Sequence, residues 1–306
     1  MFKVAVIGAS GLLGRAVVRE LAAMTTWKVV PTAFRHGGPQ QTVLDVRDAQ
    51  AVNAFVEREA PDAIVLAAAE RRPDVCEHDP AAARALNVDA VRSIAAAARQ
   101  RGWVLSISTD YVFDGTQPPY RVDDTPNPLN AYGHSKLEGE RALLETSDNA
   151  LVLRLPLLYG PIVGWHESAV TSLVPAIVAS GKPGAQAAPM DAWATRYPTF
   201  TPDVAFVIRE LLLRCADGKP VCGVAQWSCD EPMTKYDIAQ RIAQALGVEA
   251  RLLAQPTPTD ATPRPRDCHL DSSRLETLGM GRRTPFDVAI RAVLDAFMRD
   301  GGQRNA

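Results

Sequence analysis

Residues 4–14 read Val-Ala-Val-Ile-Gly-Ala-Ser-Gly-Leu-Leu-Gly, and this stretch decides the fold. The apolar run Val4–Ile7 predicts a buried strand, and a helical pattern begins at Leu12 after a loop with glycines at 8, 11 and 14. These glycines permit a tight turn, a close approach of backbone to phosphates, and close packing of the helix on the strand. An ordinary glycine turn is the alternative. The order of strand, loop and helix favours a phosphate-binding loop for a dinucleotide, because a helix N-terminus presents free N–H groups to an anion.

Strand-like and helix-like segments alternate through the first half of the chain. Strands are predicted at 4–7, 28–33, 62–67, 103–108 and 150–155, and helices at 12–24, 48–59, 80–99 and 130–145. The strands are continuously apolar, which indicates burial on both faces, and the helices between them indicate parallel pairing with crossover connections. The sequence therefore predicts an α/β fold, a Rossmann-type doubly wound parallel sheet whose ligands bind beyond the carboxyl ends of the strands.

After residue 155 the pattern changes, because prolines recur and the regular alternation stops. Helices are predicted at 168–180, 203–214, 235–246 and 286–298, with a short strand at 223–227 and an extended connection at 255–265. We therefore expect an NADP-binding Rossmann domain over residues 1–155 and a smaller C-terminal substrate lobe over residues 156–306. The second half is expected to return a strand or two to the main sheet.

Composition argues against several functional classes. Lys plus Arg number 33 and Asp plus Glu number 35, a net charge of −2, so no basic excess attracts nucleic acid. No segment has the roughly 20 apolar residues that a membrane span needs. The five cysteines form no Cys-x-x-Cys pair, and the five histidines show no metal-ligand spacing. We expect a cytoplasmic protein with reduced thiols and no metal site.

The end of the second predicted strand bears on which cofactor binds. NAD-selective sites usually carry an acid there, whereas this chain has Arg35, which can pair with a 2′-phosphate. Asp45 is a candidate contact to the adenine edge or, alternatively, a helix cap. NADP (NADPH) is the expected cofactor, with NAD as the alternative. The expected cofactor-binding residues are Gly8, Ser10, Gly11, Leu12, Leu13, Gly14, Arg35, Asp45, Val46, Ala67, Ala68, Ala69, Tyr132, Lys136 and Leu155.

A tyrosine and a lysine, Tyr132 and Lys136, lie four residues apart on one face of a predicted helix. The ammonium of Lys136 is expected to favour the phenolate of Tyr132 and so to lower the pKa of the phenol, which lets it exchange a proton with a substrate oxygen. A hydroxyl from the segment 106–111, at the end of the fourth strand, can hydrogen-bond the same oxygen. A surface pair on an amphipathic helix is the alternative.

These motifs together resemble the extended short-chain dehydrogenase/reductases. Residues 108–115, Ser-Thr-Asp-Tyr-Val-Phe-Asp-Gly, and 128–140, Pro-Leu-Asn-Ala-Tyr-Gly-His-Ser-Lys-Leu-Glu-Gly-Glu, look like dTDP-4-dehydrorhamnose reductase and its relatives. The resemblance implies Thr109, Tyr132 and Lys136 as the catalytic trio, with Asp110 and Tyr111 beside a nucleotide-linked sugar. It also implies that Lys136 holds the nicotinamide ribose.

A second resemblance covers the whole length. Residues 11–17, 68–75, 233–236, 264–266, 270–271 and 275–279 look like the regulatory β subunit of methionine adenosyltransferase, a member of the same reductase family that binds NADP and modulates a partner enzyme. Two departures from the rhamnose pattern favour this alternative. Leu157 stands where the sugar reductases tend to carry Trp, and Arg196 with Tyr197 replaces a smaller loop.

Other charged residues are candidates for substrate binding. Glu70 follows the third strand on the ligand side of the sheet, and Arg264 can clamp a diphosphate. Solvated surface charges are the alternative for both, while Arg196 is expected at the nucleotide-sugar. The sequence thus predicts an NADP-dependent reductase of a nucleotide-linked 4-keto sugar. The alternative is a regulatory subunit partnering a methionine adenosyltransferase catalytic subunit, and a homodimer is left open.

Overall fold

The computed structural model describes residues 1–35, 41–258, 261–299 and 301. Its strands are β1 Phe2–Ile7, β2 Trp27–Ala33, β3 Thr42–Val43, β4 Ala63–Leu66, β5 Trp103–Thr109, β6 Ala150–Leu155, β7 Leu158–Tyr159, β8 Ala188–Asp191, β9 Thr199–Phe200, β10 Gly223–Gln226 and β11 Leu252–Gln255. Seven of them form one parallel sheet in the order β10-β6-β5-β4-β1-β2-β3. The predicted doubly wound α/β class is confirmed.

The helices lie on both faces of this sheet and in the second half of the chain. They are α1 Leu12–Leu21, α2 Ala49–Glu59, α3 Pro73–His78, α4 Pro80–Arg84, α5 Ala90–Ala98, α6 Ala131–Thr146, α7 Val174–Ser180, α8 Thr201–Ala216, α9 Lys235–Leu246, α10 Ser273–Glu276 and α11 Phe286–Arg299. Helices α1 and α8 pack on one face, and α2, α5 and α6 on the other. Every residue of β4 and β6 is buried, which is why β4 reads as an unbroken apolar run and β6 as an apolar run with one charged residue, Arg154.

All the strands of the main sheet point the same way, so their carboxyl ends share one edge. The loops after β1, β4 and β5, together with the start of α6, therefore meet at this edge. Strand β10 comes from the second half of the chain and extends the sheet beside β6. Sheet topology thus brings residues far apart in sequence to one edge.

A third hydrophobic cluster lies in the second half, between α7, α9 and α11. The predicted helix 168–180 is shorter than expected, because the α-helix covers only Val174–Ser180 after a 3₁₀ turn at Thr171–Leu173. Pro175 explains the difference, since proline has no N–H and fits an α-helix only in its first turn. The division at residue 155 stays a prediction. Within the described residues no helix has the length and apolarity to cross a bilayer.

The helix predicted at 80–99 contains a π turn, Ala85–Asp89, between α4 and α5. This turn holds the buried Asn87 against two other segments. Its amide nitrogen donates to the Glu70 carbonyl and to Ser135 Oγ, both at 3.0 Å, while its oxygen accepts from the Glu70 N–H at 2.9 Å. Ser135 Oγ in turn donates to the Tyr132 carbonyl at 2.8 Å. Asn87 therefore ties the loop after β4 to the first turn of α6.

Candidate functional site

A cleft of about 620 Å³ opens at the carboxyl edge of the sheet. All the predicted cofactor, catalytic and substrate residues line it, with the exception of Arg35; the lining residues are Gly8, Ser10, Gly11, Leu12, Leu13, Gly14, Asp45, Val46, Ala67, Ala68, Ala69, Glu70, Thr109, Asp110, Tyr111, Tyr132, Lys136, Leu155, Arg196 and Arg264. Leu157, which stands at the expected Trp position, also lines the cleft. One cavity therefore brings together groups from both halves of the chain.

The glycine loop is closed on the protein side and open on the cleft side. Gly8 has φ +86°, and a Cβ on Gly14 would lie 2.1 Å from the Gly8 carbonyl oxygen. At Gly11 the nearest atom to such a Cβ is 3.4 Å away. Helix α1 starts directly after this loop with no side-chain cap among the described residues. Its first N–H groups and the loop backbone thus form a cradle that fits a phosphate.

Two alanine substitutions in this loop should have different effects. Gly14→Ala should destabilise the fold by about 1–3 kcal/mol, because its methyl would overlap backbone that cannot move aside. Gly11→Ala should leave the melting temperature nearly unchanged but weaken dinucleotide binding, because its methyl would enter the open side of the cradle. Thermal unfolding and NADPH titration of both variants check this. Equal melting temperatures for the two variants would contradict the assignment of their roles.

The end of β2 carries two cations beside one aromatic ring. The guanidinium carbons of Arg35 and Arg47 lie 4.9 and 4.6 Å from the centroid of the Phe34 ring, which is cation–π distance. Phe34 and Arg47 line the cleft, whereas Arg35 does not. Arg35 therefore lies beside the cleft wall, held against Phe34. The sequence pattern pointed only to Arg35 and missed Arg47, which lies beyond the short strand β3.

Asp45 forms an ion pair with Arg47, two residues further along the chain. Arg47 Nη2 and Nε donate to the Asp45 carboxylate at 2.8 and 2.9 Å. The hydrogen bond from Arg47 holds the pKa of Asp45 below its usual value. The carboxylate can still accept at the cleft, but it also positions Arg47 there. Asp45 and Arg47 therefore act as one unit at this end of the cleft.

The predicted trio meets at the centre of the cleft. Asn130 caps α6 by accepting from the Gly133 N–H at 2.9 Å, and this places Tyr132 in the first turn. Lys136 is buried, and its Nζ donates to the Ile107 carbonyl of β5 at 2.8 Å. Thr109 ends β5 and lines the same cleft as Tyr132. The trio is thus held by a helix cap, a buried ammonium and a strand end.

The expected low pKa of the Tyr132 phenol is wrong for this structure. Burial raises the pKa of Tyr132, and a hydrogen bond with Thr109 only partly opposes the rise. Burial also lowers the pKa of Lys136 to about 8, against the pull of the Glu140 carboxylate. The loss of hydration dominates the pKa of Tyr132, and the Lys136 ammonium expected from the i, i+4 spacing is not among the main influences on it. Tyr132 is therefore a protonated phenol at neutral pH.

A carboxylic acid lies beside the trio. Asp110 is buried, and its Oδ1 accepts from the Thr109 hydroxyl at 3.1 Å. Burial raises the pKa of Asp110 to about 6, although the Arg196 guanidinium pulls it down. Arg196 itself is buried, its Cζ lies 5.8 Å from the Tyr111 ring centroid, and its Nη2 has no hydrogen-bond partner among the described residues. The substrate side of the cleft thus contains a buried guanidinium with a donor that a ligand could use.

Asp110→Asn should make stability less dependent on pH. The folded protein holds the Asp110 proton more tightly than the unfolded chain does, so ionisation costs stability as the pH rises from about 4 through 6. The variant carries no charge there. Its stability advantage over wild type should therefore grow from near zero at pH 4 to about 2–3 kcal/mol at pH 7. Urea unfolding at several pH values measures it, and a constant difference over that range would contradict the shift.

A second cleft of about 480 Å³ adjoins the first. Arg196 and Arg264 line both, and the second cleft also includes Trp193. Arg264 Nη2 lies 3.2 Å from the Asp74 carboxylate, so it bridges from the second half of the chain to α3. Glu70 pairs with Arg72 at 2.7 Å while lining the first cleft. Both candidates are thus paired side chains at the cleft and not freely solvated charges.

A buried ion pair lies beneath Lys136, and the sequence pattern did not reveal it. Arg154 of β6 donates to both carboxylate oxygens of Glu140, with Nη2 to Oε2 at 2.7 Å. Ser108, the neighbour of Thr109, donates to the same carboxylate. Both charged side chains are 4% exposed. The Glu at i+4 from the lysine was the available signal, but its partner lies on a strand.

This chain matches one family model over nearly its whole length and is similar to proteins of two kinds. The model of the family described as RmlD substrate binding domain matches residues 2–299. The methionine adenosyltransferase 2 subunit beta of Bos taurus is 45% identical over 97% of this chain and 89% of its own length. A probable low-salt glycan biosynthesis reductase of Haloferax volcanii is 32% identical over 96% of this chain and 98% of its own length.

Solved structures share the same architecture. A dTDP-4-dehydrorhamnose reductase from Clostridium acetobutylicum superposes with a TM-score of 0.83 at 25% identity, covering 97% of this chain and 100% of that one. The enzyme of that name from Bacillus anthracis, solved in complex with NADP, has a TM-score of 0.82 at 23% identity over 97% of this chain and 99% of its own. The second likeness concerns the fold alone.

Proposed function

We infer the function from one premise, that this chain belongs to the family of the RmlD substrate binding domain, whose fold is that of the extended short-chain dehydrogenase/reductases. We propose that it is an NADP-dependent reductase of a nucleotide-linked 4-keto sugar. One observation carries the proposal: Thr109, Tyr132 and Lys136 line the same cleft as the glycine loop. A proton donor and a dinucleotide cradle in one cavity fit hydride transfer to a carbonyl.

The cleft fits a nicotinamide dinucleotide. Its diphosphate would lie on the loop from Gly8 to Gly14, where a Cβ at position 14 has no room and the side of Gly11 is open. Arg47 and Arg35, which share the Phe34 ring, supply positive charge at the end of β2. Neither Phe34 nor Arg35, the two residues after β2, is an acid, which favours NADP over NAD. NAD remains the alternative ligand.

The residues of the trio have separable roles. When bound, NADPH supplies the hydride. Tyr132 is protonated at neutral pH and donates its phenolic proton to the substrate oxygen. The Thr109 hydroxyl, which donates to Asp110 in this structure, would turn to hydrogen-bond the same oxygen, and Lys136 places a cation near the developing phenolate. The Lys136 charge is supported by the Glu140 carboxylate.

The substrate side favours an anionic ligand. Arg196 is buried, its Nη2 has no partner among the described residues, and Arg264 lines both clefts beside it. A buried guanidinium with an available N–H donor, as in Arg196, suits a phosphate oxygen. Asp110, Tyr111 and Glu70 supply polar contacts around the reacting sugar. The second cleft gives room for the nucleotide part.

NADPH oxidation with a dTDP-4-keto-6-deoxy sugar tests this function. Binding of NADPH and of NADH is measured separately by fluorescence titration. Turnover supports the reductase and its sugar class. NADPH binding without oxidation would refute the sugar reductase while leaving the cofactor site intact. Absence of binding would refute the cofactor site as well.

A second candidate is favoured by the 45% identity to a methionine adenosyltransferase 2 subunit beta along 97% of the chain. In this role the protein binds NADP and associates with a methionine adenosyltransferase catalytic subunit without turnover of its own. Size-exclusion chromatography with the purified catalytic subunit tests the association. A stable complex whose formation survives Tyr132→Phe supports this candidate, and separate elution at micromolar concentrations contradicts it.

A further inference from the structure

A bidentate ion pair joins the glycine loop to the second half of the chain. Arg15 lies in the first turn of α1, and Glu167 lies in a 3₁₀ turn, Trp165–Glu167. Arg15 Nη1 donates to Glu167 Oε1 at 2.9 Å, and Nη2 donates to Oε2 at 2.7 Å. The side chains are only 26% and 15% exposed. The pair is therefore partly shielded from solvent.

Both partners are anchored to backbone on each side. Arg15 Nη1 also donates to the Ser10 carbonyl at 2.6 Å, and Nη2 donates to the Pro161 carbonyl at 3.3 Å. Glu167 Oε2 accepts from the Val163 N–H at 2.7 Å. Leu12 packs against a small apolar cluster of the second half, which consists of Ile162, Val293 and Phe297. Residues 161–167 are thus fastened onto the glycine loop.

Glu167 places a negative charge beside the glycine loop. Its side chain lines the cleft together with Ser10, Gly11 and Leu12. A single nitrogen of Arg15 bridges Glu167 to the Ser10 carbonyl, so the carboxylate is held next to the loop that cradles a diphosphate. A carboxylate and a diphosphate on the same wall of the cleft would repel each other. The guanidinium is the group that cancels this repulsion.

We propose that Arg15 and Glu167 form a charge-compensated latch, by which we mean an ion pair that holds the second half of the chain against the glycine loop. In this latch Arg15 neutralises the Glu167 carboxylate, which would otherwise lie uncompensated beside the diphosphate of the dinucleotide. The inference rests on the proposed cofactor function. It assigns Arg15 and Glu167 as positioning residues for cofactor binding, without direct participation in chemistry. The affinity for NADPH should therefore follow the net charge of the pair, and the mere removal of its hydrogen bonds should matter less.

The test is NADPH affinity in four variants, measured by fluorescence titration at low ionic strength. Arg15→Gln leaves the carboxylate uncompensated and should weaken binding by about tenfold. Glu167→Gln leaves a cation beside the diphosphate, so its affinity should equal or exceed that of wild type. The double variant Arg15→Gln/Glu167→Gln should recover most of the affinity lost in Arg15→Gln. Arg15→Lys keeps the charge without the bidentate geometry and should stay close to wild type.

If the ion pair has only a structural role, the NADPH affinities of the variants will follow a different pattern. In that case both single variants and the double variant would bind NADPH equally weakly, and this result would overturn the latch. Unchanged affinity in Arg15→Gln would overturn it too. Melting temperatures of the ligand-free variants separate unfolding from loss of affinity. Wild type that fails to bind NADPH would refute the proposed cofactor function itself and the latch with it, whereas wild-type binding with the wrong variant pattern refutes the latch alone.

Discussion

Tyr132→Phe should lose about 10²–10⁴-fold in kcat for NADPH oxidation, because the change removes only the hydroxyl that donates the proton. NADPH affinity should remain within a few-fold of wild type, since the ring still lies on the cleft wall and its edge contact with Tyr111, at 5.8 Å between centroids, needs no hydroxyl. Steady-state kinetics with the keto sugar and a separate NADPH titration measure the two effects. A large loss in kcat with little change in NADPH affinity would identify Tyr132 as an acid, whereas similar losses in both would identify it as a packing residue.

Tyr236→Phe is the matched control, because Tyr236 lies in α9 and packs with the cluster of the second half. It loses the same hydroxyl at a distance from the cleft and should leave kcat unchanged. Since the pKa of Tyr132 is raised by burial, the wild-type rate should not fall between pH 7 and 8 through loss of this proton. Full turnover by Tyr132→Phe would show that another group supplies the proton.

Arg154→Met should destabilise the protein by about 3–5 kcal/mol, the usual cost of leaving one member of a buried pair unpartnered. Glu140 would keep the Ser108 hydroxyl but lose the three hydrogen bonds from the guanidinium. Its carboxylate is 4% exposed, so water cannot replace them. Urea unfolding at pH 7 measures the loss as a lower midpoint with an unchanged slope.

Two comparisons separate this cost from a general effect of removing arginine. The double variant Glu140→Gln/Arg154→Met removes both charges and should be less destabilised than Arg154→Met alone. Arg241→Met removes one partner of an exposed pair with Asp287, 41% and 58% exposed, and should cost less than about 1 kcal/mol. A double variant at least as unstable as the single one would mean that lost packing, and not an uncompensated charge, sets the cost.

Much of the fold could be predicted because it depends on local pattern. Unbroken apolar runs such as Val4–Ile7 and β4 indicate strands covered on both faces. The helix predicted from Asn130 begins at Ala131, because Asn130 is its N-cap. The helix predicted from residue 168 begins only at Val174, although Pro175 marks a first turn. Short strands such as β7 and β9 pair with each other across a long loop, and no local pattern marks them.

The candidate site likewise contains features that local sequence predicts and features that depend on tertiary contacts. The glycine loop and the Tyr132–Lys136 spacing were legible because each follows from the geometry of one turn or one helix. Arg47, by contrast, reaches the cleft through its pairing with Asp45 and the Phe34 ring. Asn87 acts through a π turn that an Ala-rich helix pattern does not reveal. Such residues become functional candidates only when their neighbours are known.

The sequence by itself determined the parallel sheet, the glycine loop between its first strand and helix, and the position of the tyrosine on its helix, because periodicity and backbone sterics act over a few residues. Only the tertiary structure decided the direction in which the pKa of Tyr132 is shifted, since this pKa depends on how much water the surrounding chain removes. It also decided the pairing of Arg15 with Glu167, which are 152 residues apart in sequence. Desolvation and long-range charge pairing are properties of the packed chain, and no local segment contains them.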